Sequence, residues 1–247
     1  MLDLVDEFVR SVSSIETEEE LSGHLDNICR SLGFRYFALT HHVDIHLESA
    51  RAIRLHNYPS GWVEWFDAQR LGPSDPVHRA SHLTNVGFCW SQLPRMIHLT
   101  PRDLEVLALA GTSGIGDGYT VPAHVPGESN GSCSFATGAG EPLPREHLAG
   151  AQLVGAFAFA AARRLRRVRD AAQTPAKLTD RQRDCLVWVA RGKSDWEISR
   201  ILGVGQETVI QHVKSARDRY GVAKRTQLAI RALFDGTISF FDVVPGS

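Results

Sequence analysis

"LTDRQRDCLVWVARGKSDWEISRILGVGQETVIQHVKSARDRYGVAKRTQLAIRAL", residues 178–233, is the stretch that decides the fold of the C-terminal part of the chain. Its apolar residues recur at the spacing of amphipathic helices. Thr179 and Ser194 each stand just before such a helix, where a hydroxyl side chain caps the first turn. The sequence "GVG" at 203–205 separates two of the helices. Two short helices joined by a tight turn that contains glycine predict a helix-turn-helix.

The helix that follows this turn is predicted to read DNA. Its apolar face consists of Val209, Val213, Ala216 and Tyr220. The opposite face is left for the major groove, where Gln211 can read a base edge, Lys214 can reach a guanine or a phosphate, and Ile210 can touch a thymine methyl. The predicted DNA-binding residues are Lys193, Thr208, Ile210, Gln211, Lys214 and Arg217. In the preceding helix we expect three side chains to face inward: Ile198, Ile201 and Leu202.

This segment resembles the LuxR-type helix-turn-helix, a four-helix DNA-binding domain. The residues that carry the resemblance are Leu178, Thr179, Arg181, Leu186, Trp188, Ala190, Gly192, Lys193, Glu197, Ile198, Ile201, Leu202, Thr208, Val209 and His212. They are spread along the whole segment, which makes the resemblance specific. The sequence departs from the family at Gln182, where the family usually has Glu. That departure concerns one local contact and not the fold.

The charges of the chain are unevenly distributed. Residues 1–160 contain 10 Arg, no Lys and 19 acidic residues, a net charge of −9, whereas residues 161–247 contain 17 basic and 9 acidic residues, a net charge of +8. A basic domain has polyanions as natural partners. The asymmetry therefore indicates an acidic domain joined to a basic, DNA-binding one.

The first part of the chain shows both helical and strand patterns. Helices are predicted near the start and over residues 17–33, 60–71, 100–111 and 145–168, and strands over 34–43, 50–58, 118–125 and 131–138. We therefore predict an α+β protein, in which an N-terminal α/β/α sandwich (an antiparallel sheet with helices on both faces) precedes a C-terminal all-α four-helix helix-turn-helix domain. The predicted segments are a first domain at 1–165, a linker at 166–177 and a second domain at 178–240.

The stretch "YPSGWVEWFDAQRLGPSDPV", residues 58–77, is unusually rich in aromatic side chains. Tyr58, Trp62, Trp65 and Phe66 lie within nine positions, and Asp75 follows just before a proline. Two interpretations are open at this point. The aromatics fill a core while Asp75 caps the next segment, or they wall a pocket in which Asp75 is the charged contact.

The pocket interpretation is supported by a resemblance to the autoinducer-binding domain of LuxR-family quorum-sensing regulators. The residues that carry it are Tyr58, Pro59, Trp62, Asp75, Pro76 and Trp90. The resemblance implies an N-acyl homoserine lactone as the signal ligand and no cofactor. It implies that Asp75 accepts the amide N–H, that Trp62 donates to the lactone carbonyl, and that Tyr58 donates to the acyl carbonyl, with Ser134 nearby.

The expected ligand-binding residues are Tyr58, Trp62, Phe66, Asp75, Trp90 and Ser134. Phe66 departs from the family, which usually has Tyr there, so the acyl-chain selectivity is an open question. Trp65 lies about 100° around the helix from Phe66 and is expected to pack outside the pocket. For Trp90 a place in an ordinary core stays open, and for Ser134 a bond to the backbone of its strand.

Parts of the sequence are also compatible with two other functions. His42, Asp44 and His46 alternate in "THHVDIH" and could hold a metal on one strand face, as a metal-dependent lactone hydrolase would require. The stretch has no further ligand cluster, and the G-x-S-x-G pattern at 127–131 lies between two predicted strands rather than before a helix, so a non-enzymatic function without a metal site is favoured. Alternatively, the first domain responds to another small molecule or acts without a ligand.

The remaining expectations concern partners and location. The resemblance implies a homodimer on a palindromic promoter site in double-stranded DNA, with RNA polymerase as a further candidate partner. The sequence has no long apolar run and no signal-peptide pattern, so no membrane partner and a cytoplasmic location are expected. The four cysteines, widely spaced, are expected to be reduced and buried: Cys29, Cys89, Cys133 and Cys185.

Overall fold

Five strands form an antiparallel sheet in the N-terminal part of the protein: β1 (Tyr36–His41), β2 (Arg54–His56), β3 (Phe88–Cys89), β4 (Ile115–Ala123) and β5 (Gly131–Gly138). Their order across the sheet is β2-β1-β5-β4-β3. The computed structural model describes residues 2–44, 46, 52–126, 128–169 and 177–244. The chain falls into an N-terminal unit, residues 1–125 and 129–170, and a C-terminal unit, which comprises residues 126–128 and 171–247.

Helices cover both faces of the sheet. They are α1 (Leu2–Val12), α2 (Glu18–Ser31), α3 (Ser60–Ala68), α4 (Pro76–Ser81), α5 (Leu93–Met96), α6 (Pro101–Thr112) and α7 (Leu148–Arg169). Helices α1, α2 and α7 pack on the face that carries Phe37, Leu39, Cys133 and Phe135, all fully buried. Helices α4 and α6 contact the opposite face. The predicted sandwich is confirmed.

Three local predictions for this unit need correction. The first strand ends at His41 rather than at residue 43, and the described part of the second strand is only Arg54–His56. The elements α4, β3 and α5 were not predicted. Residues 166–169 belong to α7, although they were assigned to the linker, and residues 170–176 of that segment lie outside the described part of the chain.

The C-terminal unit contains α8 (Asp180–Ala190), α9 (Asp195–Leu202), α10 (Gln206–Tyr220) and α11 (Arg225–Phe234), followed by a short α12 (Phe240–Val243). Its core includes Leu186, Ile198, Val209 and Leu228. Ile201, which was expected to face inward, is 43% exposed. It lies about 100° from the centre of the buried side of α9, which Ile198, Ser199 and Leu202 define.

The start of α8 shows how the Gln182 departure is accommodated. The Thr179 hydroxyl accepts a hydrogen bond from the Gln182 backbone N (3.3 Å), and the Thr179 backbone N donates to the Gln182 side-chain oxygen (3.0 Å). A capping box accepts Gln as well as Glu, because only the side-chain oxygen is needed. The departure therefore leaves the start of the helix intact.

Two further findings concern the chain as a whole. All four cysteines are buried and unpaired, as expected. Within the described ranges, no helix is both long enough and apolar enough to cross a membrane.

Thr179→Ala is expected to lower the free energy of unfolding around α8 by about 1 kcal/mol, because the substitution removes the helix cap. Hydrogen exchange of the peptide that covers α8 measures the loss. Thr226→Ala is the control, since Thr226 is exposed and no hydrogen bond to its side chain is found in the described structure. Equal exchange in both variants would contradict the capping role.

Candidate functional site

One face of the sheet carries small and polar side chains. Successive side chains of a strand point to opposite faces, and the strand register places His56, Ala38, Ser134 and Thr120 opposite one another in a row across β2, β1, β5 and β4. Ala38 in the middle of this row is half-exposed. The face is therefore open enough to form the floor of a cavity.

Helix α3 supplies the aromatic wall. Trp62 and Phe66 are four residues apart on one side of the helix, and their rings lie 5.8 Å apart between centroids. Trp65 points elsewhere: its ring lies 5.4 Å from Trp62 and 5.5 Å from the Arg102 guanidinium. Trp62 and Phe66 line the cavity and Trp65 does not, as expected from its position on the helix.

Helix α4 positions the carboxylate of Asp75. Asp75 is the N-cap of this helix, and its Oδ1 accepts a hydrogen bond from the His78 backbone N at 2.9 Å. Pro76 occupies the first helical position, which needs no N–H donor. Asp75 is 7% exposed and lines the cavity. Asp75 therefore both caps the helix and lines the cavity, the two roles that the sequence left open.

The cavity lies between this face of the sheet and helices α3, α4 and α6. All six predicted residues line it: Tyr58, Trp62, Phe66, Asp75, Trp90 and Ser134. The structure therefore brings together side chains that are far apart in the sequence.

Three polar groups of this wall have no hydrogen-bond partner in the described structure. They are the Tyr58 hydroxyl, the indole N–H of Trp62 and the Oδ2 oxygen of Asp75. Burial, and then the negative charge of Asp75, raises the pKa of Tyr58 far above its ordinary value, so its hydroxyl stays a donor at neutral pH. Two donors and one carboxylate acceptor thus face the same space, which suits a ligand with carbonyl and N–H groups.

The other two predicted residues are held by an internal chain of hydrogen bonds. The Trp90 indole N–H donates to the Thr120 hydroxyl at 2.8 Å, and the Thr120 and Ser134 hydroxyls lie 2.8 Å apart. A Cβ atom at Gly118 would lie 2.5 Å from the Trp90 ring, so a glycine is needed for the indole to lie against β4. Trp90 is therefore a fixed wall, and Ser134 bonds to a side chain rather than to the backbone.

The sequence analysis did not predict the other residues that line the cavity, which include a polar set and an apolar set. Arg54, His56 and Asp67 form a polar part of the wall, while Val106, Ala110 and Ile115 form an apolar part. Strand alternation could have identified Arg54 and His56, since they lie four and two residues before Tyr58. No local signal identifies the apolar group, because α6 and β4 reach the cavity only through the tertiary fold.

The alternative metal set does not form a cluster. Asp44 and His46 follow the end of β1, and the three side chains have different partners. His42 contacts His82 and Ser132, Asp44 pairs with Arg70 at 3.7 Å, and the His46 ring contacts the Asp67 carbonyl at 3.2 Å. No three His, Cys, Asp or Glu residues of the described ranges are arranged to hold a metal ion.

Four histidines form a cluster beside the cavity. The His42 ring stacks on His78 at 3.9 Å, its Nδ1 lies 2.9 Å from Nε2 of His82, and the His82 ring lies 5.9 Å from His124. Burial, and then the charges of these neighbours, lowers the pKa of His42 well below its ordinary value. Burial also lowers the pKa of His82. No carboxylate is hydrogen-bonded to the rings of His42 and His82 in the described structure, so none offsets the effect of burial on them.

In the C-terminal unit, α10 presents a polar face. Thr208, Gln211 and Lys214 are exposed, and Ile210 beside them is half-buried. Val209, Val213 and Ala216 on the other side are buried, as expected. The Gln211 side chain donates to Glu207 at 3.3 Å, a weak contact that a base edge can replace.

The other two predicted DNA contacts already have partners within the unit. The Arg217 guanidinium donates to the Ala223 carbonyl at 2.6 Å, where it supports the turn after α10. Lys193 pairs with Glu197 at 2.9 Å, but both side chains are about two-fifths exposed, so this ion pair is weak. The bond to Ala223 uses one of the five N–H donors of Arg217, so the arginine can still contact a phosphate, and the weak Lys193 pair can be exchanged for one.

A unit with a cavity lined by aromatic and polar side chains, joined to a second unit with a helix-turn-helix, defines a DNA-binding regulator that carries a sensor domain. Residues 17–165 match the family described as "Autoinducer binding domain", and residues 176–232 match "Bacterial regulatory proteins, luxR family". The chain belongs to the LuxR family of bacterial transcriptional regulators with an autoinducer-binding domain.

Two relatives are similar in sequence to this chain over nearly its whole length. The transcriptional activator protein AhyR of Aeromonas hydrophila is 25% identical over 236 residues, covering 94% of this chain and 91% of that protein. The quorum sensing-dependent regulator RpaR of Rhodopseudomonas palustris is 28% identical over 233 residues, covering 94% and 93%. The structure of the Escherichia coli protein SdiA in complex with octanoyl-rac-glycerol has a TM-score of 0.73 at 23% identity, and the match covers 96% of both chains. This similarity supports the fold.

The histidine cluster predicts that the N-terminal unit loses stability as the pH falls. An unfolded histidine binds a proton below about pH 6.5, whereas the lowered pKa of His42 keeps it neutral in the folded unit to a lower pH. The unfolded state then binds more protons, so the free energy of unfolding falls with pH, by up to about 1.4 kcal/mol per pH unit for each such histidine. Denaturant unfolding at a series of pH values measures this.

Two variants test whether the cluster causes this loss. His42→Gln should flatten the pH dependence below about pH 6.5, because its amide does not titrate. His98→Gln should leave it unchanged, since His98 is exposed and lies outside the cluster. A profile that is the same in His42→Gln as in the parent protein would rule out this origin.

Proposed function

We propose that the protein is a quorum-sensing transcriptional regulator whose N-terminal unit binds an N-acyl homoserine lactone. The observation that carries the proposal is the set of three polar groups without protein partners in one cavity: the Tyr58 hydroxyl, the Trp62 indole N–H and Asp75 Oδ2. Such a ligand has an amide N–H for the carboxylate and two carbonyl oxygens for the donors. A ligand that enters the cavity can form hydrogen bonds with all three groups.

The roles follow from this chemistry and from the family resemblance. Asp75 accepts the amide N–H, Trp62 donates to the lactone carbonyl, and Tyr58 donates to the acyl carbonyl beside Ser134. Trp90 and Phe66 supply apolar contact to the ring or chain. Phe66 offers no hydroxyl, so this part of the wall selects by shape.

Ligand binding is proposed to regulate the protein through stability. A ligand that binds only the folded state raises the free energy of unfolding. At concentrations above the dissociation constant, this gain grows with the logarithm of the ligand concentration. In the same proposal the regulator works in the cytoplasm as a homodimer. A dimer presents two α10 helices to half-sites about one helical turn apart.

A second candidate ligand is a neutral acyl compound without a lactone. It is favoured by the structure of SdiA with octanoyl-rac-glycerol, whose fold is similar. Calorimetric titration of the purified protein with acyl homoserine lactones that have short, long and aryl side chains, and with octanoyl glycerol, separates the two. Binding of the glycerol ester alone would contradict the lactone proposal.

Asp75→Asn is expected to weaken lactone binding about 10- to 100-fold, because an N–H donor replaces the acceptor at Oδ2 and the lost bond is one to a charged group. Folding should be nearly unchanged, since asparagine caps a helix as well as aspartate does. Titration calorimetry gives the affinity, and thermal unfolding of the ligand-free protein gives the stability.

Asp75→Ala is the matched comparison for this test. It removes the cap as well as the acceptor, so it should lower both affinity and stability. If Asp75→Asn destabilised the free protein as much as Asp75→Ala, or left lactone affinity intact, Asp75 would be a structural cap and no ligand contact.

Lys214→Ala is expected to weaken DNA binding and to reduce the slope of log affinity against log salt by about 1, the effect of one lost phosphate contact. A suitable probe is a duplex selected by the parent protein from a random-sequence library. Arg231→Ala is the control, because Arg231 is equally exposed but lies on α11. Unchanged DNA affinity in Lys214→Ala would show that this face of α10 does not contact the DNA.

A further inference from the structure

The cavity continues past the proposed headgroup contacts to a second polar end. In the row across the sheet, His56 lies two strands away from Ser134, with Ala38 between them. Two strand spacings amount to roughly 10 Å. Ala38 is half-exposed and has only a methyl side chain, so the space above it connects the two ends.

His56 closes this end with an unsatisfied nitrogen. Its Nδ1 atom is buried and has no hydrogen-bond partner in the described structure, although its ring lies in the cavity wall. The ring is nearly parallel to that of Tyr58, at 6.5 Å between centroids. A buried nitrogen without a partner costs free energy that a hydrogen-bonding ligand recovers.

The charges around His56 indicate what kind of group it takes. Arg54 donates to both carboxylate oxygens of Asp67 at 2.7 Å, and Arg70 pairs with Asp44 at 3.7 Å. Both arginines of the wall are thus neutralised, and Asp75 leaves an excess of one negative charge there. Burial, and then the charge of Arg54, lowers the pKa of His56, so the ring is neutral. A neutral polar group fits this end better than a carboxylate.

We propose that His56 is a specificity-determining residue that selects acyl homoserine lactones with a hydroxyl group on the acyl chain. A hydroxyl can donate and accept, so it pairs with either tautomer of a neutral imidazole. The chain runs from Tyr58 and Ser134 over Ala38 to His56, and a rotation of the imidazole ring brings Nδ1, which is buried before binding, to the hydroxyl. This inference rests on the proposed lactone function and adds the substituent that the cavity selects.

The test uses N-octanoyl homoserine lactone and its derivatives with a hydroxyl on carbon 3, 6 or 8 of the acyl chain. At least one derivative should bind the full-length protein about tenfold more tightly than the parent compound, as expected for one hydrogen bond to a buried group. In His56→Phe that preference should disappear through weaker binding of the derivative. The ring contact with Tyr58 is retained in this variant.

Two further variants control the test. His56→Asn keeps a polar group and should retain part of the preference, whereas His98→Phe, a change at an exposed histidine outside the cavity, should retain all of it. The ligand-free His56→Phe protein should unfold at a temperature no lower than the parent, because the variant removes a nitrogen that lacks a partner. A clear loss of stability would mean that the nitrogen is satisfied within the protein, and would overturn the inference.

The outcomes separate this inference from the proposed function. Lactone binding without any preference for a hydroxyl, or a preference that survives in His56→Phe, overturns the role of His56 and leaves the lactone function in place. Failure of every compound in the series, together with the short, long and aryl lactones, removes both.

Discussion

The alternation of side chains along β1 and β5 is the constraint on which the sensor unit depends. Phe37, Leu39, Cys133 and Phe135 point to one face and are fully buried under α1, α2 and α7. The intervening residues must then point to the other face, and there they are small or polar, such as Ala38 and Ser134. Beside the core that Ala136 and Ile115 form with α3 and α6, the small side chains of this face leave a space beneath the helices, and this space is the cavity.

The bond between Asp75 and the His78 backbone gives this cavity a fixed acceptor. A carboxylate on a free loop would sample many positions, and ordering it on binding would reduce affinity. Here Oδ1 is held by the cap, and Pro76 fixes the first turn of α4. The Oδ2 oxygen is therefore positioned before any ligand arrives.

Features encoded by local spacing could be predicted from the sequence, and features that depend on the tertiary fold could not. The caps at Thr179 and Ser194 and the i, i+4 pair Trp62 and Phe66 are local, and the structure has them where they were expected. Helix α4 was not predicted because Pro73 and Pro76 interrupt the helical pattern of the sequence, although proline is well suited to the first helical position. Ile201 was wrongly expected to be buried, because the three apolar residues of this short helix do not show which side of the helix faces the core.

His78 belongs both to the cavity wall and to the histidine cluster. Its backbone N donates to Asp75, its ring stacks on His42 at 3.9 Å, and its Nδ1 lies 2.7 Å from the Gly72 carbonyl. A second proton on His42 or His82 would break their shared N···N hydrogen bond, since one of these nitrogens must accept. Any resulting movement of α4 would also move Asp75. Because linkage is reciprocal, a ligand that holds Asp75 in place would then also disfavour proton uptake by the cluster.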